Sequence, residues 1–512
     1  MRCAPAVPLV CGLCLALAAV ATQVAAVEDE SSFHATDEDE RDAKRVVDED
    51  EEEDEDEALR ERLTEREDKR RPLQPWGFDV GGRRLTLSGE YELELLGLSS
   101  DILEDDPGDD DRLFLEHGIE AEAFYSFGKP LSLFAQFRVV MEEDLISHPG
   151  DEISTIFVER GEMWLASADI GGTGVSFDVG HLDFEDDRRW WWDAELDAAR
   201  ITYEIGDFEI ALALGRELFA DRTDADGVDP EQEGVLRVIG EASWDWRFGQ
   251  SLQGFLLYQD DRSPSERPGE VFARDREDAA DARLAWLGAR AIGAIDVGAP
   301  GLFGYSLDLA WVRGDERRNE FEEVSRRLSV VEERRSLDVS GWAFDAALLW
   351  LFPVVGEPRV YAGYARGSGD ASPDQGTDHS FRQTGLEENE AGFGGVERFA
   401  NYGVFLDPEL SNLGVVTAGV GVSLLRSSSL DLVYHRYRLV EPAGGLLDAR
   451  FDAALDGVHR DLGEELDLVL AIEEWERLEF ELILSTFRAG EAFGHQRGDW
   501  SYGGFFATRI AF

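Results

Sequence analysis

Apolar and polar residues alternate along much of this chain with the two-residue period of a β-strand that faces two different environments. In residues 131–141, Leu131, Leu133, Ala135, Phe137 and Val139 share one face while Ser132, Gln136 and Arg138 share the other, with Phe134 as the exception. A weaker alternation sets Phe208, Ile210, Leu212 and Leu214 against Glu209, and a third sets Leu478, Phe480, Leu482 and Leu484 against Glu479 and Glu481. Taken along the whole chain, the pattern predicts strands near residues 84–97, 113–126, 131–141, 154–167, 174–182, 196–205, 207–217, 234–247 and 250–260. A second set is predicted near 280–291, 301–313, 341–352, 358–367, 413–425, 429–438, 462–472, 477–487 and 501–512. That makes about eighteen strands, each roughly as long as a tilted membrane strand. Alternation alone also suits a soluble sandwich, so the connections decide. They switch between short, as at 127–130, 206–207 and 248–250, and long, as at 368–412. Short turns at one end and long loops at the other are the habit of an outer-membrane barrel, with the short turns periplasmic.

The ends of the chain fit export. Met1-Arg2 leads into an apolar stretch at 8–24 and then the small pair Ala25-Ala26, which reads as a signal peptide over residues 1–26 cleaved near Ala26. Cys3, Cys11 and Cys14 all lie inside it, so the mature chain is expected to carry no thiol, no disulfide and no cysteine-ligated metal. Residues 27–80 are dominated by acid, notably 48–57, and are expected to be a disordered segment. Residues 81–512 contain no linker that divides them and no apolar run near the roughly 20 residues of a membrane helix, so a membrane-spanning form has to be a closed barrel. The last strand places Phe506, Thr508, Ile510 and Phe512 on one face, and a closing phenylalanine resembles the assembly signal of outer-membrane barrels. Trp244, Trp246, Trp311, Trp350 and Tyr364 at strand ends suit interfacial girdles. The expectation is an all-β transmembrane barrel in the bacterial outer membrane, in contact with its lipids.

One cluster stands out, "DDRRWWWDAELDAARI" at 186–201, in the third long loop between the fifth and sixth strands. With the preceding "GHLDFE" it resembles the signature region of the alginate-export family of outer-membrane porins: a glycine-led strand end, an Asp/Arg/Trp cluster, then Leu196, Asp197 and Arg200 in a Leu-Asp-x-x-Arg strand. "YARGSGD" at 364–370 and the stretch 462–494 are similar to that family too, so the resemblance runs from Arg84 to Phe512. It implies an eighteen-stranded monomeric channel that passes an anionic exopolysaccharide such as alginate outward by diffusion, without cofactor, metal or covalent chemistry. It also implies a periplasmic scaffold or synthase complex as partner; nucleic acid is not expected.

In such a pore, guanidinium forks bind sugar carboxylates and aromatic faces meet sugar rings. Arg188, Arg189 and Arg200 lie in the family motif, and alternation places Arg138, Arg160, Arg237, Arg359 and Arg509 on the wet face. Each is also suited to an ion pair across the strands. Trp190, Trp191 and Trp192 are candidates for stacking on sugar, or for packing against the barrel rim.

Charge runs the other way. There are 109 acidic against 49 basic residues, a formal net charge of -60. Alternation points Glu116, Glu120, Glu122, Glu162, Glu204, Glu241, Asp345, Glu465, Asp467, Glu479 and Glu481 at the lumen. Like charge along a pore opposes an anion, so a general or cation-preferring porin is the alternative. A third reading keeps the cargo: Lys44, Lys69 and Lys129 are the only lysines, a bias that resembles adaptation to high salt, where a Debye length of about 3 Å screens the lumen. Asp183, Glu185, Asp186 and Asp187 lack the spacing of a calcium loop. His435 has no serine elbow or histidine partner, which leaves a barrel enzyme as the remotest alternative.

Overall fold

The computed structural model describes residues 76–512 except 100–110, 129–130, 147–153, 226, 264–266, 326, 374–375, 447–448, 450–453 and 476. The expected signal peptide and most of the acidic segment therefore lie outside the described residues. Eighteen long strands follow one another as an antiparallel meander. They are β1 (Arg83–Ser99), β2 (Arg112–Gly128), β3 (Leu131–Ile146), β4 (Ser154–Ser167), β5 (Val175–Glu185) and β6 (Asp193–Ile205). Then come β7 (Phe208–Arg216), β8 (Val235–Arg247), β9 (Gln250–Asp261), β10 (Ala280–Asp296), β11 (Leu302–Ser325) and β12 (Leu328–Leu351). The ring continues with β13 (Arg359–Gly367), β14 (Leu413–Leu424), β15 (Ser428–Leu439), β16 (Asp461–Trp475), β17 (Leu478–Ala489) and β18 (Trp500–Ala511). It closes where β1 pairs with β18, from Glu90 opposite Ala511 to Ser99 opposite Tyr502. Gly89 and Phe512 extend the seam by exchanging backbone hydrogen bonds of 3.1 and 2.8 Å.

The alternation sorts as its chemistry requires. Leu133, Phe137 and Val139 of β3 are 41–47% exposed on the outside, and Phe208, Ile210, Leu212 and Leu214 of β7 are 48–53% exposed there. Phe134 turns inward and stacks on Trp164, 5.4 Å between centroids. Phe303 and Trp350 pair at the short-turn end, and Trp311 and Trp342 pair eight residues further along the same two strands. Eight residues span about 27 Å of strand, which a tilt of about 40° reduces to roughly 20 Å, close to the height of an outer-membrane apolar band.

Three features depart from the sequence reading. Residues 314–340 belong largely to β11 and β12, which run for 24 residues each and project as a hairpin beyond the upper girdle. One face of this projection is covered, burying Glu316, Asn319, Ser329, Val331, Leu337 and Val339, but half of these are polar, so the apolar alternation is weak. The ordered chain also reaches further back than the expected boundary at residue 80: Trp76–Val80 is a strand whose residues pair with Leu87 to Arg83. Finally, β4 and β5 share only five residue pairs, Met163–Ser167 against His181–Phe177. Above that level β4 pairs instead with a strap from the β7–β8 loop, where Arg160 N–H donates to Asp221 O at 2.8 Å and Thr223 N–H to Val158 O at 3.0 Å. The β5–β6 hairpin is released from the wall there, and its tip lies inside the barrel.

Candidate functional site

Residues 186–192 form that tip. Asp186 shapes it by accepting from the backbone N–H groups of Arg188 (3.0 Å), Trp191 (2.6 Å) and Trp192 (3.1 Å), and Arg189 adopts φ +46° to complete the turn. An aspartate that satisfies successive N–H groups in this way is a strong local turn device. From there Trp191 and Trp192 reach the wall at β9 and β10, while Trp190 meets Phe381 and Tyr402 of residues 368–412. Trp191 stacks on Phe255 of β9 at 4.9 Å and seats against Gly288 of β10. A Cβ at Gly288 would lie 1.9 Å from Trp191 Cζ2, so only glycine accommodates the ring. Gly288→Ala is expected to cost about 1–3 kcal/mol by overpacking and to shift tryptophan fluorescence. Adding Gly288→Ala to Trp191→Ala should cost less than Gly288→Ala costs in the wild type, the remaining contact being Leu309 O at 2.7 Å, which thermal melts would check.

A second inward segment, residues 368–412, locks onto the first. Tyr402 Oη accepts from Trp190 Nε1 at 2.6 Å and donates to Asp345 at 2.8 Å. Thr384 Oγ1 donates to Trp191 O at 2.5 Å, and Trp286 Nε1 to Arg382 O at 2.8 Å. Deeper, Val396 N–H donates to Ser429 Oγ at 3.0 Å, beside the short turn between β14 and β15. The segment therefore passes through the lumen from the long-loop end to the short-turn end. Phe393 and Phe399 pack on Val433, Val469 and Ile483 of the wall, and Glu465 accepts the N–H groups of Phe405 and Leu406. Together the two segments make a plug against the wall of β9–β17.

The candidate arginines divide accordingly. Arg188 is buried in a network with Asp308 (2.8 Å) and Asp345 (3.3 Å), which continues through Arg290 to Asp308 and Asp186. Arg359 is buried and bonded twice to Asp431, at 2.9 and 2.5 Å, while Arg237 is buried with a bond to Gln232 at 2.6 Å. Arg160 binds Asp197 at 2.7 Å and Asp221 at 2.8 Å, holding the strap. The expectation that Arg188, Arg237 and Arg359 line the pore is corrected, because the structure buries all three. Of the two roles expected for the tryptophans, the burial fits packing: Trp190, Trp191 and Trp192 are each 1–2% exposed and present no free ring face to a sugar.

Besides the part-exposed Arg160, four arginines keep part of their surface. Arg189 meets Glu185 (2.9 Å), Asp193 (3.0 Å) and Glu390 (2.7 Å) on the plug, where burial opposes its charge but these acids outweigh it and raise its pKa. Beside it, burial and then Glu390, Asp193 and Asp407 push Glu388 up to about 7. Arg200 bonds Asp178 at 3.2 Å and lies over Phe184. Arg138 and Arg509 lie on the wall of β1–β4 and β18; the plug touches β18 where Phe405 lies against Gly503, but the two arginine side chains stay 22% and 32% exposed.

The inner face of β1 and β2 is mainly carboxylate. Glu90, Glu92 and Glu94 of β1 adjoin Glu116, Glu120 and Glu122 of β2, and all six are half-buried. Arg138 spans Glu92 (2.8 Å), Glu116 (2.7 Å) and Glu159 (3.6 Å), and Arg509 meets Glu92 at 2.6 Å. The sequence reading named Glu116, Glu120 and Glu122 but not the β1 trio, although Glu90-Tyr91-Glu92-Leu93-Glu94 alternates cleanly.

A closed barrel with an apolar outer band, aromatic girdles and an internal plug defines a channel-type β-barrel of the bacterial outer membrane. The chain belongs to the alginate export family, whose model matches residues 136–503. It is 27% identical over 324 residues to alginate production protein AlgE of Pseudomonas aeruginosa, covering 63% of this chain and 65% of that protein. It is 24% identical over 336 residues to AlgE of Pseudomonas syringae pv. tomato, covering 62% and 65%. The match thus spans just under two thirds of these relatives. Among solved structures, Acinetobacter baumannii OccAB1 shares the fold with a TM-score of 0.52 at 10% identity, over 84% of this chain and 96% of that one.

Proposed function

We propose that this protein is an outer-membrane channel that exports an anionic exopolysaccharide of the alginate class by diffusion. The observation that carries the reading is a family member whose lumen holds a locked plug, with Arg138 and Arg509 part-exposed beside it among the half-buried carboxylates of β1 and β2. Arginine forks recognise carboxylates, and several weak contacts let a polymer move on. The cargo is handed over by a periplasmic scaffold or synthase complex, and transport needs no covalent step. Residues 1–26 act as the export signal, and the acidic segment that follows faces the periplasm.

The carboxylates of β1 and β2 favour a second reading, a cation-preferring diffusion porin on the same scaffold. Salt distinguishes the two. At about 0.1 M the Debye length is ~10 Å, and at about 1 M it is ~3 Å. Adaptation of the chain to high salt would make the acid compatible with a polyanion. We expect oligouronate added at the short-turn side of a planar bilayer to block current transiently in high salt and less often in low salt. Cation preference with no oligouronate block at either salt would favour the porin. Release of reducing ends from a polysaccharide panel would instead indicate an enzyme.

A further inference from the structure

We propose that Glu92 is the specificity-determining residue of the conduit: it clamps Arg138 and Arg509 together, and a carboxylate of the cargo exchanges with it. The identity of that carboxylate rests on the polysaccharide reading; the clamp itself does not.

The geometry is particular to this position. Glu92 sits directly across the strands from Arg509 on one side and Gly118 on the other. Its Oε1 accepts from Arg509 Nε at 2.6 Å and its Oε2 from Arg138 Nη2 at 2.8 Å, so each oxygen holds a different arginine. Arg138 belongs to β3 and reaches Glu92 across β2, which is possible because Gly118 has no side chain. A Cβ there would lie 2.5 Å from Arg138 Nε. The side chains are 17% exposed for Glu92, 22% for Arg138 and 32% for Arg509, so solvent and solutes reach the cluster. The buried arginines under the plug have no such access.

Two guanidinium groups on one part-exposed carboxylate form a site for a carboxylate that already contains one. The cluster is part-exposed, and an incoming sugar carboxylate replaces a chemically equivalent group. Exchange therefore needs little free energy in either direction. The displaced Glu92 stays tethered beside the site and competes for it, which shortens each stay. A conduit requires binding weak enough to release, and an internal competitor supplies it without removing the arginines.

The test compares Glu92→Gln with Glu122→Gln in the full-length barrel in planar bilayers. Both remove one lumen carboxylate, but Glu122 accepts from Ser88 at 2.5 Å rather than from an arginine. If Glu92 masks the arginines, Glu92→Gln shifts the anion-to-cation permeability ratio at least roughly threefold more than Glu122→Gln does. It also lengthens oligouronate blocks, and adding Arg138→Ala and Arg509→Ala removes both gains. Glu92→Asp keeps the charge but shortens the reach, and is expected to give an intermediate shift; it also serves should Glu92→Gln fail to assemble. Equal shifts for Glu92→Gln and Glu122→Gln would overturn the clamp. A larger shift for Glu92→Gln, with oligouronate blocking neither protein, would uphold the clamp and sink the polysaccharide reading instead.

Discussion

Arg188→Ala is expected to release the plug rather than to change charge selectivity directly. The substitution leaves Asp345 and part of Asp308 buried without the cation they now meet at 3.3 and 2.8 Å. Breaking a buried ion pair by removing one partner costs roughly 3–5 kcal/mol, because the remaining charge is stranded. Asp308 keeps Arg290 at 2.7 Å, so the lower part of that range applies best. About 3 kcal/mol multiplies the population of a detached plug by more than a hundred. Single-channel recordings should show larger, flickering openings, and trypsin should begin to cut after Arg382 and Arg398 of the plug. Arg188→Lys restores the charge without the fork and should recover only part of the loss. A quiet channel with wild-type conductance and a protease-resistant plug would refute the network's role.

Trp191→Ala is the second large expected effect. The ring is 1% exposed and fits between Phe255 and Gly288. Truncating a buried tryptophan to alanine costs about 3–5 kcal/mol, the transfer loss plus a cavity. The wall strands carry their own hydrogen bonds, so the barrel should persist while the plug loosens. Intact β-sheet circular dichroism together with an earlier thermal transition for the plug would show this. A single unchanged transition would mean that the ring adds little to docking.

The wall was legible because every membrane strand meets lipid on one side. In β7, Phe208, Ile210, Leu212 and Leu214 have no other place to go, and period-two alternation records it. The projecting ends of β11 and β12 were missed because their covered face mixes Glu316, Asn319 and Ser329 with Val331, Leu337 and Val339, which blurs such a record. The plug was missed for another reason. Arg188 finds Asp308 and Asp345 at sequence separations of 120 and 157, and no local pattern marks such partners. The tryptophans announced burial or stacking equally well, and only Gly288 on a distant strand decides between them. Alternation correctly turned Arg237 and Arg359 inward, but it cannot tell a lumen filled by protein from one filled by water. Glu92 was readable as an inward residue; its two arginines, on β3 and β18, were not.

The seam between β1 and β18 also constrains how the molecule is made. It joins residues as far apart as Glu90 and Ala511, the longest loop closure in the sheet, whereas most other neighbours are successive strands whose pairing is local. Non-local closure is entropically costly and slow, so the open sheet should exist for a time with hairpins already zipped. During that time the inner face of β9–β17 is a concave surface on which residues 368–412 and the tryptophan tip can dock from the open side. Once β18 meets β1, the same segments would have to thread a narrow mouth. Assembly is therefore expected to resemble wrapping a cloth around an object already in hand, with the order of events fixed by topology rather than by affinity.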